Sequence, residues 1–308
     1  MRKPRALQPG DRIAIVAPAS AFSPEQLQAG VEELRSLDFE PVYEPSLFER
    51  TRYTAGPPQL RAEAFRKAWL DPGIAGIVAA RGGYGSVQLL PLLDPGDFAD
   101  GGKPFIGYSD NTSLMAWLTL TCGVVTFHGP MIDRRLARGP AGYDRDTFLR
   151  CLTRPAPIGV ITHPHVDVLQ HGEAAGMLIG GTMTQLAGSL GTPYAFDPPQ
   201  GCVLFLDEVG ERPYRIDRLF TQLQQAGIIS RAGALVFNEL PRCEEPGGSP
   251  IVRDVIVDLT RDFNGPVLFG LPSGHTDSPT LTIPFGVRAR IDTQHRPGLI
   301  IEESAVEL

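Results

Sequence analysis

The chain has 308 residues, of which 42% are hydrophobic and 20% charged, a composition that builds a folded core and excludes a disordered tail or a coiled coil. Its formal net charge of −7, from 28 Lys and Arg against 35 Asp and Glu, disfavours nucleic acid and anionic lipid surfaces as partners. The sequence contains no run of about 18 apolar residues, and its N-terminus lacks an apolar signal region, so we expect a cytosolic protein outside the membrane.

The first half of the sequence alternates short apolar runs with amphipathic segments, a pattern typical of βαβ units in a parallel sheet. Asp11–Ala17 predicts a buried strand, and the capping residues at Ser23–Gln26 predict a helix that ends near Leu37. Further strands are predicted at Glu40–Tyr43, Ile74–Ala80, Pro104–Gly107 and Val124–Phe127, and further helices at Pro58–Leu70, after Gly85, at Ser113–Leu120 and at Asp144–Leu152. We therefore predict an α/β domain over residues 1–153, with helices on both faces of a parallel sheet.

A second domain is predicted after a proline-rich stretch, Arg154–His171, which lacks helical periodicity and is interpreted as a linker. Residues 172–308 have shorter apolar runs and more turns, which indicate a β-rich α+β domain. Its predicted strands are Val203–Leu206, Ala234–Phe237, Pro266–Phe269, Leu281–Ile283 and Val287–Ile291, and its predicted helices are Tyr214–Gln225 and Val252–Arg261.

The sequence gives little sign of a metal or a cofactor. The four cysteines are far apart, which predicts neither a disulfide framework nor a Cys-x-x-Cys metal site. The histidine pair in His163–His165 has no cysteine or carboxylate cluster at a ligand spacing and falls in the predicted linker. The glycines of Gly82–Gly85 lack the spacing of a nucleotide-binding loop. We expect no metal and no cofactor.

The strongest local motif is Phe105–Asn111, a short strand that runs into a sharp turn before an apolar helix. This is the setting of a nucleophile elbow, in which the turn exposes a serine hydroxyl and the next backbone N–H helps to form an oxyanion hole. Ser109 would be the nucleophile, although Asn111 stands where such elbows usually have glycine. The alternative is that Ser109 or Asp110 only caps the helix.

A serine nucleophile needs a base, and six histidines are available. His275 is the best placed, because it follows an apolar run and lies in the turn-rich segment Ser273–Asp277. His128, at the end of a predicted strand, is the rival, and an ordinary surface role is the alternative for His275. The others are His163, His165, His171 and His295.

The acid that orients the base is predicted from a pair of carboxylates, Asp207 and Glu208, at the end of an apolar strand. Adjacent strand residues point to opposite faces, so only one of them faces the site. The other is expected to be an ion-pair or cap residue near Arg212, Arg215 and Arg218. Gly82 or Gly83 is a candidate second oxyanion donor, because glycine lets the backbone come close to a ligand.

Several segments taken together, in this order along nearly the whole chain, resemble the LD-carboxypeptidase family. That family contains the muramoyl-tetrapeptide carboxypeptidases and their relatives that confer self-immunity to microcin C. The matching segments are Arg81–Gly85, Gly107–Asp110, His128–Met131, Leu190–Tyr194, Glu211–Arg218 and Gly274–His275.

The resemblance implies a serine peptidase with a Ser-Glu-His triad. The triad is divided between an N-terminal flavodoxin-like α/β domain and a C-terminal β-rich domain, and the family is usually homodimeric. Carried onto this chain, Ser109 is the nucleophile and His275 the general base. The N–H groups of Asp110 and of Gly82 or Gly83 are the oxyanion donors.

Two positions depart from the family pattern. The family's glutamate aligns with Asp207, whose side chain is one carbon shorter, while a shift of one residue would place it on Glu208. Gly180–Met183 reads Gly-Gly-Thr-Met where the family commonly has Gly-Gly-Asn-Leu, a departure that bears on substrate contacts.

The resemblance implies hydrolysis of the amide between an L-centre and a D-amino acid, which would release the terminal D-alanine of cytosolic murein tetrapeptide during cell-wall recycling. One alternative is a microcin-immunity-like hydrolase of aminoacyl or peptidyl adenylate analogues. The other is a muropeptide-binding relative that has lost activity, which the shorter side chain of Asp207 would suggest.

Overall fold

The computed structural model describes residues 1–99, 102–294 and 296–308, together with the side chains of all of these except residues 296 and 297. Within them the strands are β1 Arg12–Val16, β2 Glu40–Val42, β3 Gly76–Ala79, β4 Phe105–Gly107, β5 Thr126–His128, β6 Gly159–Ile161, β7 Asp167–Gln170, β8 Glu173–Thr182, β9 Cys202–Asp207, β10 Ala232–Phe237, β11 Val267–Phe269, β12 Ile283–Phe285, β13 Arg288–Asp292 and β14 Arg296–Ile301. The α-helices are α1 Pro24–Ser36, α2 Pro58–Leu70, α3 Thr112–Leu120, α4 Arg145–Thr153, α5 Met183–Ser189, α6 Pro213–Gln225 and α7 Val252–Leu259.

The chain forms two compact units whose limits differ from the predicted domain limits. The first unit comprises Met1–Ala156, Ser278–Gly286 and Ser304–Leu308, and the second comprises Pro157–Asp277 and Val287–Glu303. Residues 154–171 are not a free linker, because β6 and β7 are strands of the second unit's sheet. The C-terminal part also returns to the first unit, since β12 pairs with β5 and Glu307 forms a bridge with Arg5.

The sheet of the first unit has the strand order β12-β5-β4-β3-β1-β2. Its strands are parallel except β12, which is antiparallel to β5. The order β2-β1-β3-β4-β5 is that of a flavodoxin-like fold, which confirms the predicted fold class. Because loops at the carboxyl ends of parallel strands meet at one edge of such a sheet, the residues after β1, β3, β4 and β5 are brought together there.

The helices of the first unit follow their sequence signals, with one exception. Helix α1 begins at Pro24 and buries the predicted apolar stripe of Leu27, Val31 and Leu34. The segment after Gly85 forms a 3₁₀ helix over Ser86–Leu92 and not the predicted α-helix. Pro91 lies inside it, and a proline removes a helical hydrogen bond and clashes with the preceding turn. No helix within the described residues is long and apolar enough to cross a membrane.

An aromatic cluster forms part of the first unit's core. Phe65, on α2, lies 5.1 Å from Phe105 and 5.6 Å from Phe98 between ring centroids, and Trp69 and Trp117 complete the group. The three phenylalanines are fully buried. Truncating a buried phenylalanine typically costs about 3–5 kcal/mol, so this cluster anchors α2 to the sheet on which the strand-end loops rest.

The sheet of the second unit has the order β6-β14-β13-β8-β9-β10-β11-β7. Its central strands β8, β9, β10 and β11 are parallel, and the remaining pairings are antiparallel. The unit is a mixed α/β layer with more strands than predicted, since β6, β7, β8 and β14 have no predicted counterpart. The carboxyl ends of the four parallel strands lie at one edge, which gathers Thr182, Asp207, Asn238 and the segment Gly270–His275.

The four cysteines are buried thiols. Burial raises the pKa of Cys122 to about 12 and that of Cys202 to about 11. At neutral pH these thiols are protonated, so they act as small core residues and not as nucleophiles.

Candidate active site

Ser109 lies on a sharp strand-to-helix turn, as the sequence predicts. Strand β4 ends at Gly107, and Ser109 takes a φ of +63° at the start of a 3₁₀ turn that leads into α3. A non-glycine residue in this left-handed region is uncommon and persists only where the surroundings hold it. Ser109 is partly exposed, whereas Asp110 and Asn111 are buried. The turn therefore presents the serine and buries the two residues that follow.

Asn111, in the position usually held by glycine, ties the turn together. Its side-chain Nδ2 donates hydrogen bonds of 3.2 Å to the carbonyl oxygens of Arg81 and Tyr108. The side chain is fully buried. Gly107 leaves room for it, because a Cβ at Gly107 would lie 3.2 Å from the Cβ of Asn111. Asn111, which replaces the usual glycine, therefore links the Ser109 turn to the loop after β3.

Asp110 is not a helix cap, because its carboxylate is turned toward the loop after β3. Its Oδ2 accepts the N–H of Ser86 at 2.7 Å, and the hydroxyl of Ser86 donates to the carbonyl of Asp110 at 2.5 Å. Burial raises the pKa of Asp110, and the bonds from Ser86 and the charge of Arg61 oppose that rise. Arg61, also buried, donates to the carbonyl oxygens of Pro18 and Gly85. These contacts fix the loops after β1 and β3.

The glycine pair after β3 lies directly against the serine. A Cβ at Gly82 would be 2.7 Å from the Cβ of Ser109 and 2.9 Å from its Oγ, distances that real side chains do not adopt. Gly83 has a φ of +103°, and a Cβ there would overlap Ser20. Ser20 holds the loop from the other side, since its Oγ accepts the N–H of Tyr84 at 3.1 Å. Glycine is required at both positions by close approach, as expected for a backbone beside a reacting group.

In the second unit His275 is held by Asp207 through two hydrogen bonds. The imidazole Nδ1 lies 2.8 Å from Asp207 Oδ2, and the backbone N–H of His275 donates to Oδ1 at 3.0 Å. Asp207 is fully buried, whereas the His275 side chain is 16% exposed. A neutral imidazole that donates its Nδ1 proton to this carboxylate has its lone pair on Nε2, the tautomer that a general base needs.

Two further residues hold the carboxylate, and the sequence predicts this role for neither of them. Asn238 Nδ2 donates at 2.5 Å both to Asp207 Oδ1 and to the carbonyl of His275. The hydroxyl of Thr182 donates to Asp207 Oδ2 at 2.9 Å. Both side chains are buried and come from the ends of β8 and β10, next to β9. Thr182 stands in the segment Gly180–Met183, whose departure from the family pattern is expected to bear on substrate contacts, whereas the only sequence signal of Asn238 is its place after an apolar run.

Glu208 faces away from His275, toward the start of α5. Its Oε2 accepts the N–H and the hydroxyl of Thr184 at 2.9 and 2.7 Å, which caps that helix with a carboxylate. Burial raises the pKa of Glu208; the bonds from Thr184 oppose that rise, and the neighbouring charge of Asp207 adds to it. The predicted ion pair of the second carboxylate is wrong, because Arg212 and Arg215 pair with Glu245 and Glu211, while the alternative role of a cap residue is observed at α5.

His128, the rival base, is a core residue. It is fully buried, and its ring centroid lies 5.9 Å from that of Tyr108 and 5.3 Å from that of Phe285. A base that exchanges protons with substrate must be reachable, and this ring is enclosed by aromatic neighbours. His295 lies outside the described residues.

Comparisons with known proteins identify the family of the chain. The model of the LD-carboxypeptidase N-terminal domain matches residues 13–129, and that of the LD-carboxypeptidase C-terminal domain matches residues 175–291. A curated relative from Streptomyces coelicolor is 35% identical over 96% of this chain and 97% of its own. The microcin C7 self-immunity protein of Escherichia coli is 26% identical over 93% of this chain and 91% of its own.

A solved structure extends the likeness to the whole fold. The muramoyltetrapeptide carboxypeptidase from Oxalobacter formigenes is 30% identical, with a TM-score of 0.82 over 95% of this chain and 99% of its own. The sequence segments, the two units and these comparisons lead to one identification: the chain belongs to the LD-carboxypeptidase family.

Proposed function

We propose that the protein is a serine LD-carboxypeptidase that releases the C-terminal D-alanine of murein tetrapeptide. Ser109 is the nucleophile, His275 the general base and Asp207 the acid that orients it. The observation that carries the proposal is the pair of hydrogen bonds that the Asp207 carboxylate accepts from the backbone N–H and the imidazole of His275, because a proton held on Nδ1 leaves Nε2 free to accept one. The name of the solved relative from Oxalobacter formigenes supports the choice of substrate.

In the first half of the proposed reaction, His275 Nε2 takes the Ser109 proton while Oγ attacks the carbonyl carbon of the amide before D-alanine. The negative charge that develops on the carbonyl oxygen is met by the N–H of Asp110 and an N–H of Gly82 or Gly83. Collapse of this intermediate breaks the C–N bond, and His275 returns the proton to the leaving amine. An acyl ester on Ser109 and free D-alanine result.

In the second half, water attacks the acyl ester. His275 removes a proton from the water and then donates it to Ser109 Oγ, which regenerates the enzyme and frees the tripeptide carboxylate. The reaction requires Ser109 Oγ and His275 Nε2 to come within about 2.6–3.2 Å of each other. That approach is part of the proposal.

The shorter acid at Asp207 fits this role because its surroundings immobilise it. Thr182 and Asn238 donate to its two oxygens, and the buried carboxylate also receives the N–H of His275. A carboxylate with these donors keeps its orientation. We infer that the network compensates for the missing methylene of the family's glutamate.

The proposal is tested by measuring D-alanine released from murein tetrapeptide. The wild type is compared with Ser109→Ala and with Ser36→Ala, a matched control on the exposed surface of α1. We expect release by the wild type and the control and none above background by Ser109→Ala, with circular dichroism showing that all three are folded. No release by a folded wild type would refute the assignment, and tight tetrapeptide binding without turnover would favour an inactive binding relative.

A second candidate is hydrolysis of aminoacyl adenylate analogues. Tyr53 and Tyr84 are 59% and 44% exposed and form an edge-to-face pair with centroids 5.4 Å apart, next to Gly83. Exposed aromatic rings offer stacking for an adenine base. If this function holds, the kcat/KM for an aminoacyl sulfamoyl adenosine exceeds that for tetrapeptide, and Tyr84→Ala lowers only the former. Equal effects of Tyr84→Ala on both substrates would contradict it.

We also propose that the protein acts in the cytoplasm as a homodimer, as the family resemblance implies. Sedimentation equilibrium tests the second part. A mass near twice the chain's 33.3 kDa is expected, and a monomer at micromolar concentration would contradict it.

A further inference from the structure

The histidine pair His163 and His165 has a third, distant neighbour. The pair directly precedes β7, and Glu239 follows β10 by one residue. Strand β7 is antiparallel to β11, while β10 is parallel to it, so the start of β7 and the end of β10 lie at the same edge of the sheet. The sequence near the histidine pair lacks a carboxylate, and the fold supplies one from Glu239, which lies 74 positions after His165.

The three side chains already approach the geometry of a metal site. His165 Nδ1 lies 3.1 Å from Glu239 Oε1, and the rings of His163 and His165 have centroids 4.8 Å apart. One ligand atom from each residue lies within 4.8 Å of the other two. In a tetrahedral zinc site with bonds of about 2.0–2.1 Å, ligand atoms are about 3.3–3.4 Å apart. The histidine–glutamate pair already has this separation, and the His165 side chain, 63% exposed, has room to rotate.

We propose that His163, His165 and Glu239 form a binding site for a single Zn²⁺ ion. Two imidazoles and one carboxylate are a donor set that zinc prefers, and the solvent side leaves a fourth position for water. A histidine–glutamate hydrogen bond on the surface would explain one of the contacts. The second imidazole is held by a separate contact, since His163 Nδ1 accepts the backbone N–H of His165 at 3.4 Å, and this contact keeps its ring within reach of the same point.

The glutamate is also supported from behind, as metal-binding carboxylates usually are. Its Oε2 accepts the hydroxyl of Thr276 and, at 3.3 Å, the N–H of Asp277. These bonds engage one carboxylate oxygen and turn Oε1 toward the histidines. Thr276 and Asp277 directly follow His275, and Asn238 directly precedes Glu239. The carboxylate of Glu239 would thus contact both the metal and the segment that carries His275. This binding site is a property additional to the proposed hydrolysis.

Zinc binding to the full-length, untagged chain after chelator treatment tests the site without reference to catalysis. Isothermal titration calorimetry with Zn²⁺ is expected to give one ion per chain for the wild type. We expect binding to be lost in His163→Ala, His165→Ala and Glu239→Gln, the last of which keeps the shape and removes the charge. His171→Ala removes an exposed histidine elsewhere in the same unit and should bind zinc normally. Circular dichroism verifies that each variant is folded.

A wild type that binds no zinc, or variants that bind it as the wild type does, would overturn the proposal. Thr276→Val adds a graded test, because loss of a supporting hydrogen bond typically weakens metal affinity by about 10- to 100-fold. An unchanged affinity in Thr276→Val would contradict the assigned role of Glu239 Oε2. Cobalt substitution reads the geometry directly: intense visible absorption bands are expected of a four-coordinate site, and the weak bands of octahedral Co²⁺ would contradict it.

Discussion

The turn at Ser109 and the cluster around His275 are built in different ways. The first is local, because strand, turn and helix follow one another within Phe105–Leu120. The second is assembled from the ends of neighbouring parallel strands, so that Asp207, Asn238 and His275 meet although about 30 or more positions separate them. A local motif is visible in sequence, whereas an assembled one depends on the register of the sheet.

Among the residues that position the catalytic groups, the largest expected effect distinguishes the two adjacent carboxylates of the assembled region. Asp207→Asn should lower kcat by about 10⁴-fold, because the amide no longer stabilises the imidazolium or selects the right tautomer. Glu208→Gln should keep kcat within a few-fold of wild type, since its partner is Thr184. Steady-state D-alanine release measures both, and the reverse ranking would place the acid on Glu208.

A smaller effect is expected at Thr182, where the hydroxyl donates to Asp207. Thr182→Val keeps the shape and removes one hydrogen bond to a charged group, a loss of about 1.5–3 kcal/mol. When this free energy no longer helps to orient His275, kcat is expected to fall by about 10- to 100-fold. Thr184→Val, which alters only the Glu208 contact, is the control for kcat. Equal kcat values in the two variants would remove Thr182 from the positioning network.

The Ser109 turn is tested by Asn111→Gly, which places the glycine of the usual elbow at this position. The change removes the two hydrogen bonds from Asn111 to Arg81 and Tyr108. We expect a loss of about 1–3 kcal/mol in the free energy of unfolding, together with lower activity. Urea denaturation measures the stability. An unchanged midpoint would mean that the turn is held by the local backbone alone.

The smallest effect concerns the pH dependence of stability at Glu208. Because its pKa is raised in the folded state above the usual 4.5, the folded protein binds more protons than the unfolded chain between these two values. The contribution of Glu208 to stability is therefore lost as pH rises through this interval, and Glu208→Gln lacks that contribution. Urea unfolding at pH 4.5 and pH 7.5 should show the variant gaining relative to wild type at the higher pH. A gain at the lower pH would reverse the sign and contradict the assignment.

The sequence predicts the local parts of the molecule better than the parts assembled from distant strands. The strands and helices through α4 and the Ser109 turn are predictable, because capping residues, apolar periodicity and turns act within a few positions. Strand β8 is not, since Glu173–Thr182 is rich in glycine and alanine and lacks the usual β-branched pattern. Strand β12 was predicted near its place, but its partner in the first sheet is not encoded locally.

The candidate site divides in the same manner. Ser109, His275 and the Asp207–Glu208 pair can be identified from motifs and from resemblance to the family. The choice between Asp207 and Glu208 depends on which side chain faces His275. That orientation is determined by the pairing of β9 with β8 and β10, which the sequence does not encode locally. Asn238 and Glu239 have no motif of their own, and the segment that contains Thr182 predicts substrate contacts and not a bond to Asp207. The roles of all three come from lying at the ends of adjacent strands.

The central claim is that the local turn and the assembled cluster act as one catalytic unit. The most direct test compares kcat/KM for D-alanine release in Ser109→Ala, His275→Ala and the double variant. Residues of one unit are strongly non-additive, so each single change should cost roughly 10⁶-fold in rate and the double change about the same. A His275→Ala variant that keeps activity within tenfold of wild type would contradict the claim.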